Sequence, residues 1–316
     1  MAPRLEELET HRKAIYGHCY RMLGSVVDAD DAVQETMVRA WKGLEGFDGR
    51  SSPKTWLHRI ATNVCIDALG AKKRRFRPMD EASPGTPEDA IEDRPREHWL
   101  EPVPTSAILV DGATPAEALV QRESVRLAFV SALQALPPKP RAALLLTDVV
   151  GLSADEAASC LETSVASVTS ALQRARATLS TQPVPEPERL DAGKTALLER
   201  YVTAFHAYDV EALVSLVRED VTFNMPPIAL WLSSREHVRA WLLGRGAGCR
   251  GSRLLPIDVA GAPGFAQYRA KPEGGHVAWG AIVLDVREGA IASWTTFLDV
   301  ETLFPRFGLP LELPAE

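Results

Sequence analysis

The sequence of 316 residues contains few cysteines and no long apolar run. Cys19, Cys65, Cys160 and Cys249 are far apart in the chain, so neither a disulfide framework nor a metal cluster is indicated. No stretch reaches the roughly 18 uninterrupted apolar residues of a membrane span, and the N-terminus has no signal-peptide core. We therefore expect a cytoplasmic protein with no membrane association, no metal and no cofactor.

The chain also has no overall excess of basic charge, because its net charge is −7. Residues 1–79 nevertheless hold 14 Lys and Arg against 10 Asp and Glu, whereas residues 80–135 hold 4 against 11. Affinity for nucleic acid depends on where basic groups gather. The N-terminal part can therefore contact DNA, and the acidic middle cannot.

The basic charge gathers at the end of one predicted helix. Apolar residues recur at helical spacing from Trp56 to Leu69, and the polar side is Arg59, Thr62, Asn63 and Asp67. A cationic cluster around Phe76 follows the predicted C-cap Gly70; its members are Lys72, Lys73, Arg74, Arg75 and Arg77. Cations beside an aromatic ring suit single-stranded DNA, although such a run can also be a solvated linker.

Two further helices precede this one, at about 5–25 and 28–44. The second has a predicted buried stripe of Val33, Thr36, Met37, Ala40, Trp41 and Leu44. Its outer side includes Val38 among charged residues, which indicates either a protein-docking face or an ordinary solvated face.

Residues 78–115 are acidic and rich in proline, as in a linker, although we expect the piece His98–Pro104 to dock. Helices are predicted at about 115–135 and 139–150. Ser153 then caps a short helix, and a helix over 165–179 follows a tight turn, with small polar and basic residues outward. This pattern is typical of a helix-turn-helix, although a helical hairpin that binds no DNA stays open.

The C-terminal part follows a proline-rich hinge and changes in character. Helices are predicted at 190–207, 210–217 and 234–243, and alternating runs at 253–260, 264–270, 275–287 and 290–298. Helices followed by an antiparallel sheet indicate an α+β cone with an internal pocket.

Four phrases in the helical part carry a family resemblance: DADDAVQETMVRAW, GRSSPKTWLHRIATNVCIDALGAKKRR, LPPKPRAALLLTDVVGLSADEAA and SVTSALQRAR. They resemble regions two and four of extracytoplasmic-function sigma factors of the sigma-70 family. The remainder resembles the SnoaL-like branch of the nuclear-transport-factor-2 superfamily. The expected fold is a multidomain chain of two all-α sigma domains, a region 2 helical bundle and a region 4 helix-turn-helix, followed by an α+β SnoaL/NTF2-like cone. The expected segments are 1–79 for region 2, 80–114 for the linker, 115–182 for region 4 and 183–316 for the SnoaL-like domain.

The resemblance implies the partners, which are promoter DNA and the β′ and β subunits of core RNA polymerase, and it implies roles for individual residues. For melting and reading the −10 element it points to Trp56, Arg59, Asn63, Asp67, Lys72, Lys73, Arg74 and Arg75. For reading the −35 element it points to Thr169, Ser170, Gln173 and Arg174, with Arg176 on phosphate. For docking on polymerase it points to Asp31, Gln34, Glu35 and Arg39.

SnoaL-like enzymes use Asp and His in acid-base chemistry, and the candidates here are His206, Asp220, His237 and His276. Because no paired carboxylate-histidine spacing stands out, we expect no catalytic residue and favour a regulatory domain. Its tryptophans either line a ligand pocket or belong to the core of the cone, and the ligand is left open. Two other functions fit parts of the chain. A stand-alone helix-turn-helix regulator leaves the basic cluster unexplained, and an enzyme of the polyketide-cyclase or isomerase type leaves both helical parts unexplained.

Overall fold

The computed structural model of the chain describes residues 5–71, 74–181 and 192–315. The chain divides into two compact units. The helical unit combines Met1–Phe76 with Leu100–Pro185, and the mixed unit combines Arg77–Trp99 with Glu186–Glu316.

The acidic stretch predicted as a linker over 80–114 is shared between these units and does not form a segment of its own. Its apolar residues explain why, because Trp99, Leu100 and Val103 are all buried. Burial of these apolar side chains favours the docked segment by enough to offset the conformational entropy that a free segment would keep. The prediction that His98–Pro104 docks is confirmed.

Nine α-helices form the described part of the helical unit: α1 (Leu5–Glu9), α2 (Arg12–Leu23), α3 (Val26–Gly43), α4 (Pro53–Ala71), α5 (Pro115–Glu123), α6 (Leu127–Gln134), α7 (Pro138–Leu144), α8 (Ala154–Cys160) and α9 (Val165–Ser180). The single helix predicted over 5–25 is two helices, α1 and α2. The one predicted over 115–135 is also two, α5 and α6, with Ser124 as the C-cap of α5 and Arg126 as the N-cap of α6. Helix α7 continues into a π-helical turn over Leu145–Val149.

Two predictions about which side chains are buried in α3 and α4 are wrong. Trp41 is 63% exposed. Val33, Met37 and Ala40 define the buried face of α3, and Trp41, one residue after Ala40, is rotated about 100° around the helix axis from it. Thr62 was predicted on the polar face of α4 but is fully buried, with its Oγ1 2.9 Å from His18 Nε2.

The junction between α2 and α3 anchors the returning chain. Gly24 has φ of +69°, and a Cβ at this position would lie 2.5 Å from Leu100 Cδ2, so only glycine fits without strain. The buried Glu101 carboxylate accepts hydrogen bonds from Ser25 Oγ at 2.9 Å and from the Val26 backbone N–H at 2.8 Å. This carboxylate therefore sits at the N-terminus of α3, where the helix dipole favours negative charge.

The described part of the mixed unit has four α-helices and one sheet. In chain order they are α10 (Ala192–Ala207), α11 (Val210–Ser215), β1 (Val217–Asn224), β2 (Trp231–Ser233), α12 (Arg235–Leu243), β3 (Arg253–Val259), β4 (Ala262–Ala270), β5 (His276–Arg287), β6 (Ala290–Phe297), α13 (Val300–Leu303) and β7 (Glu312–Leu313). The sheet order is β2-β1-β6-β5-β4-β3, and β7 pairs with β5. Only the β1–β6 pair is parallel among these strands. The four predicted runs are β3 to β6, and prediction missed β1, whose first half is rich in charge.

Aromatic side chains of α10 pack against one face of the sheet. The Tyr201 ring stacks 5.5 Å from Phe265 and meets Trp294 edge-on at 5.1 Å, measured between ring centroids. Trp294 also contacts Phe205 and Phe223, and all five rings are buried. These rings form an aromatic core of the mixed unit, and a ligand pocket lined by tryptophans stays a prediction.

Residues 77–99, named here the strap, run along the edge of the sheet at β2. The Gly85 N–H donates to the Trp231 carbonyl at 2.9 Å, and Trp99 Nε1 donates to the Pro227 carbonyl at 3.0 Å. An uncovered edge strand would leave backbone groups unpaired. The strap, which joins the two halves of the helical unit in sequence, is therefore a structural part of the mixed unit.

Candidate DNA and polymerase interfaces

The predicted −10 residues on α4 lie on one exposed side of the helix. Helix α4 begins at Pro53, and Ser52 Oγ accepts a hydrogen bond from the Thr55 N–H at 3.0 Å. Arg59 and Asp67 are exposed, and Trp56 and Asn63 are half-buried. Trp56 also pairs with the half-buried Phe47, with ring centroids 5.1 Å apart. Phe47 belongs to the loop before α4, where no motif marks it as a site residue.

The basic cluster after α4 is divided in its roles. Lys72 and Lys73 lie outside the described residues. Arg74 is exposed, and its guanidinium lies 4.9 Å from the centroid of the Phe76 ring. Arg75 was predicted to contact DNA but is only 5% exposed. Its guanidinium lies 2.8 Å from an Asp28 carboxylate oxygen and 3.6 Å from one of Glu101, so this side chain neutralises buried carboxylates.

The predicted polymerase-docking residues lie on the outer side of α3. Asp31, Gln34, Glu35 and Arg39 are all exposed. Arg39 Nε donates to Glu35 at 2.6 Å, and a second nitrogen lies 3.4 Å from Asp67 of α4. The outer side of α3 thus adjoins the −10 side of α4 through one arginine.

Helices α8 and α9 form the predicted helix-turn-helix. Ser153 and Glu156 form a capping box at the start of α8, as expected from the sequence, and Ser164 Oγ caps α9. The inward residues of α9 are Val168, Ala171 and Ala175.

The five predicted −35 residues are exposed: Thr169, Ser170, Gln173, Arg174 and Arg176. Arg176 is held by the exposed Asp148, with the closest nitrogen–oxygen distance 2.9 Å. A phosphate contact by Arg176 therefore competes with an ion pair already present.

The −10 helix and the helix-turn-helix contact each other within the helical unit. Arg59 forms an ion pair of 2.8 Å with Glu162, which lies in the turn between α8 and α9. Thr55 Oγ1 lies 3.4 Å from Glu156, and Cys160 Sγ lies 3.7 Å from the Thr55 carbonyl oxygen. No local sequence pattern indicates these contacts, because the partners are about a hundred residues apart.

The four candidate acid-base residues of the mixed unit do not all lie at one site. Asp220 forms an ion pair of 2.8 Å with Arg218 at the surface, and His237 lies in the first turn of α12. His206 and His276 line one cavity together. No helix among the described residues is both long and apolar enough to cross a membrane.

Comparisons with known proteins match this architecture. Residues 8–75 match the family model Sigma-70 region 2, residues 126–179 match Sigma-70, region 4, and residues 198–294 match the SnoaL-like domain. The chain is 41% identical over 309 residues to the ECF RNA polymerase sigma factor SigG of Mycobacterium tuberculosis, covering 96% of this chain and 82% of that protein. It is 29% identical to SigJ of the same organism over 284 residues, 84% of each protein. The crystal structure of SigJ superposes with a TM-score of 0.61 over 93% of this chain and 96% of that one, at 26% identity.

Proposed function

The chain belongs to the ECF RNA polymerase sigma factors, and from this membership we propose how its residues divide the work of promoter recognition. A sigma factor directs core polymerase to promoters, and here regions 2 and 4 both lie in the helical unit. Because the proposed partner is RNA polymerase, the chain would act in the cytoplasm. The observation that carries the proposal is the outward side of α4, which places a cation, an amide and an aromatic ring along one line.

In the proposed division, α4 captures the melted −10 element. Trp56 would stack on an unpaired base, Asn63 would hydrogen-bond a base edge, and Arg59 would contact phosphate. Lys72, Lys73 and Arg74 add cations, whereas Arg75 is left out because it is buried. Capture by stacking and cations offsets the few kcal/mol that unstacking a base costs.

Helix α9 would read the −35 element as intact double helix. Its small outward residues Thr169 and Ser170 allow close approach to the major groove, and Gln173 and Arg174 reach base edges. Arg176 would exchange Asp148 for a phosphate. Polymerase would be held separately, by Asp31, Gln34, Glu35 and Arg39 on the outer side of α3.

We further propose that the SnoaL-like domain regulates the distance between regions 2 and 4. The −10 and −35 elements are separated by about 25 base pairs, or about 85 Å of double helix. Arg59 cannot contact Glu162 and −10 DNA at once, so this contact between the two regions has to break on the promoter. The strap is 23 residues long (Arg77–Trp99), and if released it could extend to about 75 Å.

A regulatory role also fits the acid-base candidates better than catalysis does. Proton transfer from carbon needs a base within hydrogen-bond reach of its substrate, beside a group that takes the developing charge. Asp220 pairs with Arg218 and does not line the cavity beside His206. A regulatory domain fused to a sigma factor does not need a base placed beside a charge-accepting group.

Removing the SnoaL-like domain tests the regulatory part of the proposal. A chain ending at residue 182 and the full chain would each be added to core polymerase, and run-off transcription would be measured from a promoter library. The proposal predicts that output changes, because the strap loses the sheet edge that holds it. Equal output from both chains, at equal polymerase binding, would reject regulation by this domain.

A further inference from the structure

A cavity of about 540 Å³ opens in the helical unit, and both sigma regions line it. Region 2 contributes residues of α2 and α4, region 4 contributes residues 148–151 after α7, and residues from 108 to 121 complete the wall. The volume lies in the range of small-molecule sites. We propose that this cavity binds an organic monocarboxylate with an apolar body, and that the bound acid holds regions 2 and 4 together. The second part rests on the proposed function, in which a contact between the regions breaks on the promoter.

The group that binds the carboxylate is the guanidinium of Arg21. Arg21 lines the cavity and is 5% exposed, and it donates from Nε to Ser124 Oγ at 2.9 Å and from Nη2 to the Gln121 carbonyl at 3.3 Å. Both acceptors are neutral, and no carboxylate of the described residues forms an ion pair with this guanidinium. Burial lowers the pKa of Arg21 to about 10, so the group stays charged at pH 7. A buried cation without an anion is costly, and a bound carboxylate removes that cost.

The third guanidinium nitrogen, Nη1, lies at the cavity wall. A Cβ added to Gly17 would lie 2.8 Å from Arg21 Nη1 and 3.0 Å from Ile108 Cγ2. Gly17 and Ile108 both line the cavity, so Nη1 lies where two lining residues meet. A carboxylate oxygen in the cavity can therefore accept a hydrogen bond from Nη1 while the apolar body of the ligand contacts Ile108.

Apolar side chains form much of the remaining wall, which suits the body of an organic acid. These residues include Ala14, Ile108, Val110, Ala113, Val120 and Val149. Covering them with a ligand removes apolar surface from water, whereas a small inorganic anion would leave that surface wet. The lining therefore favours an acid with an apolar body over a free inorganic ion.

Three carboxylates also line the cavity, and each already has a partner. Asp111 and Asp148 form ion pairs of 3.1 and 2.9 Å with a lysine and an arginine. Glu117 accepts hydrogen bonds from Thr114 in the capping box at the start of α5. All three are exposed, whereas Arg21 is buried. Their negative charge disfavours a ligand with two or more negative charges, so the cavity selects a monoanion.

Regions 2 and 4 meet at this cavity. Lys54 at the start of α4 donates to the Val150 carbonyl at 3.3 Å, and both residues line the cavity. An acid bound here contacts both regions, so it binds the chain with the regions together and not the chain with the regions apart. By mass action, an acid at 100 times its Kd should weaken binding of −10 DNA by the free chain, by up to about 100-fold.

Calorimetric titration of the full chain with three probes of one shape tests the site. The probes are 4-phenylbutyrate, 4-phenylbutanamide and 4-phenylbutylamine. We expect the carboxylate to bind at least about tenfold more tightly than the amide or the amine, since only the carboxylate forms a charged hydrogen bond with Arg21. The site is overturned if the carboxylate does not bind at millimolar concentration, or if the amide or the amine binds as tightly.

Matched variants locate the binding. Arg21→Met should weaken binding of 4-phenylbutyrate at least about tenfold. Arg12→Met, at an exposed position of the same helix outside the cavity lining, should bind as the unaltered chain does. If Arg21→Met misfolds, the methyl resonances of Ile108 in the unaltered chain replace it. These resonances should shift on adding 4-phenylbutyrate, and their failure to move would overturn the location.

Fluorescence anisotropy of a labelled −10 oligonucleotide tests whether the bound acid holds the regions together. Saturating 4-phenylbutyrate should weaken oligonucleotide binding by the unaltered chain and leave binding by Arg21→Met unchanged. Equal affinity with and without the bound acid overturns this part of the proposal. If the oligonucleotide does not bind even without the acid, the proposed function fails and this part fails with it, whereas calorimetry still decides the site.

Discussion

Replacing Arg75 with glutamine should destabilise the helical unit and should not act as the loss of a DNA contact. The Arg75 guanidinium lies 2.8 Å from Asp28 and 3.6 Å from Glu101, and the side chains of all three are largely buried. The glutamine variant removes a cation that lies close to two largely buried carboxylates, and breaking a buried pair in this way costs about 3–5 kcal/mol. That is a large part of the roughly 5–15 kcal/mol by which a domain is stable.

Urea unfolding of the full chain, followed by hydrogen exchange at the amides of α2, α3 and α4, measures this loss locally. Arg74→Gln is the matched control, because Arg74 is the exposed neighbour and should change stability by no more than about 0.5 kcal/mol. Arg74→Gln should instead weaken binding of single-stranded −10 DNA. The reasoning is refuted if Arg75→Gln is as stable as the unaltered chain while its DNA binding is lost.

Three further predictions follow from contacts in the helical unit. Glu162→Gln removes the exposed ion pair with Arg59, so the free chain should bind a fluorescent −10 oligonucleotide up to about fivefold more tightly, in line with the roughly 1 kcal/mol of such pairs. Unchanged affinity, measured by fluorescence anisotropy, would show that Glu162 does not compete with DNA for Arg59. Burial lowers the pKa of His58 to about 4, and it also lowers the pKa of the neighbouring His18. Below pH 6.5 the unfolded chain therefore binds protons that the folded chain does not. The free energy of unfolding should fall as the pH is lowered from 6.5 to 4, by up to about 3 kcal/mol for His58. The His58→Gln variant is the reference. If the difference in urea midpoint between the unaltered chain and this variant stays constant from pH 6.5 to 4, the lowered pKa of His58 is contradicted. Gly24→Ala should lower the free energy of unfolding by more than about 1 kcal/mol, because φ is +69° and the added Cβ would lie 2.5 Å from Leu100 Cδ2. A thermal midpoint equal to that of the unaltered chain would show that the junction between α2 and α3 relaxes without strain.

Helical periodicity predicted most of the architecture but not which polar or aromatic groups would be buried. The order of helices and the strands β3 to β6 follow from spacing, since amphipathic faces repeat at fixed intervals. Trp41 was placed in the wrong stripe, because a tryptophan next to Ala40 fits an apolar face by type and only the packing decides. Strand β1 was missed because Arg218, Glu219 and Asp220 interrupt its alternation.

The candidate DNA site could be predicted only where its residues are neighbours in sequence. The exposed side of α4 and the outward residues of α9 are each a local pattern. Arg75 looked like its basic neighbours, and its burial depends on Glu101, which approaches from a distant segment. The ion pair between Glu162 and Arg59 could not be predicted either, since a local sequence pattern does not indicate a contact between distant segments.

Strand opening at a promoter tests the central claim most directly. Core polymerase with the full chain would be placed on a promoter that carries a fluorescent base analogue in its −10 element, and opening would be followed as fluorescence rises. The account predicts that Asn63→Ala and Trp56→Ala lower opening while the complex still binds the promoter, and that Gln173→Ala weakens binding without changing opening in the bound fraction. Opening that proceeds unchanged in the α4 variants, or that fails in the Gln173 variant at saturating DNA, would contradict it.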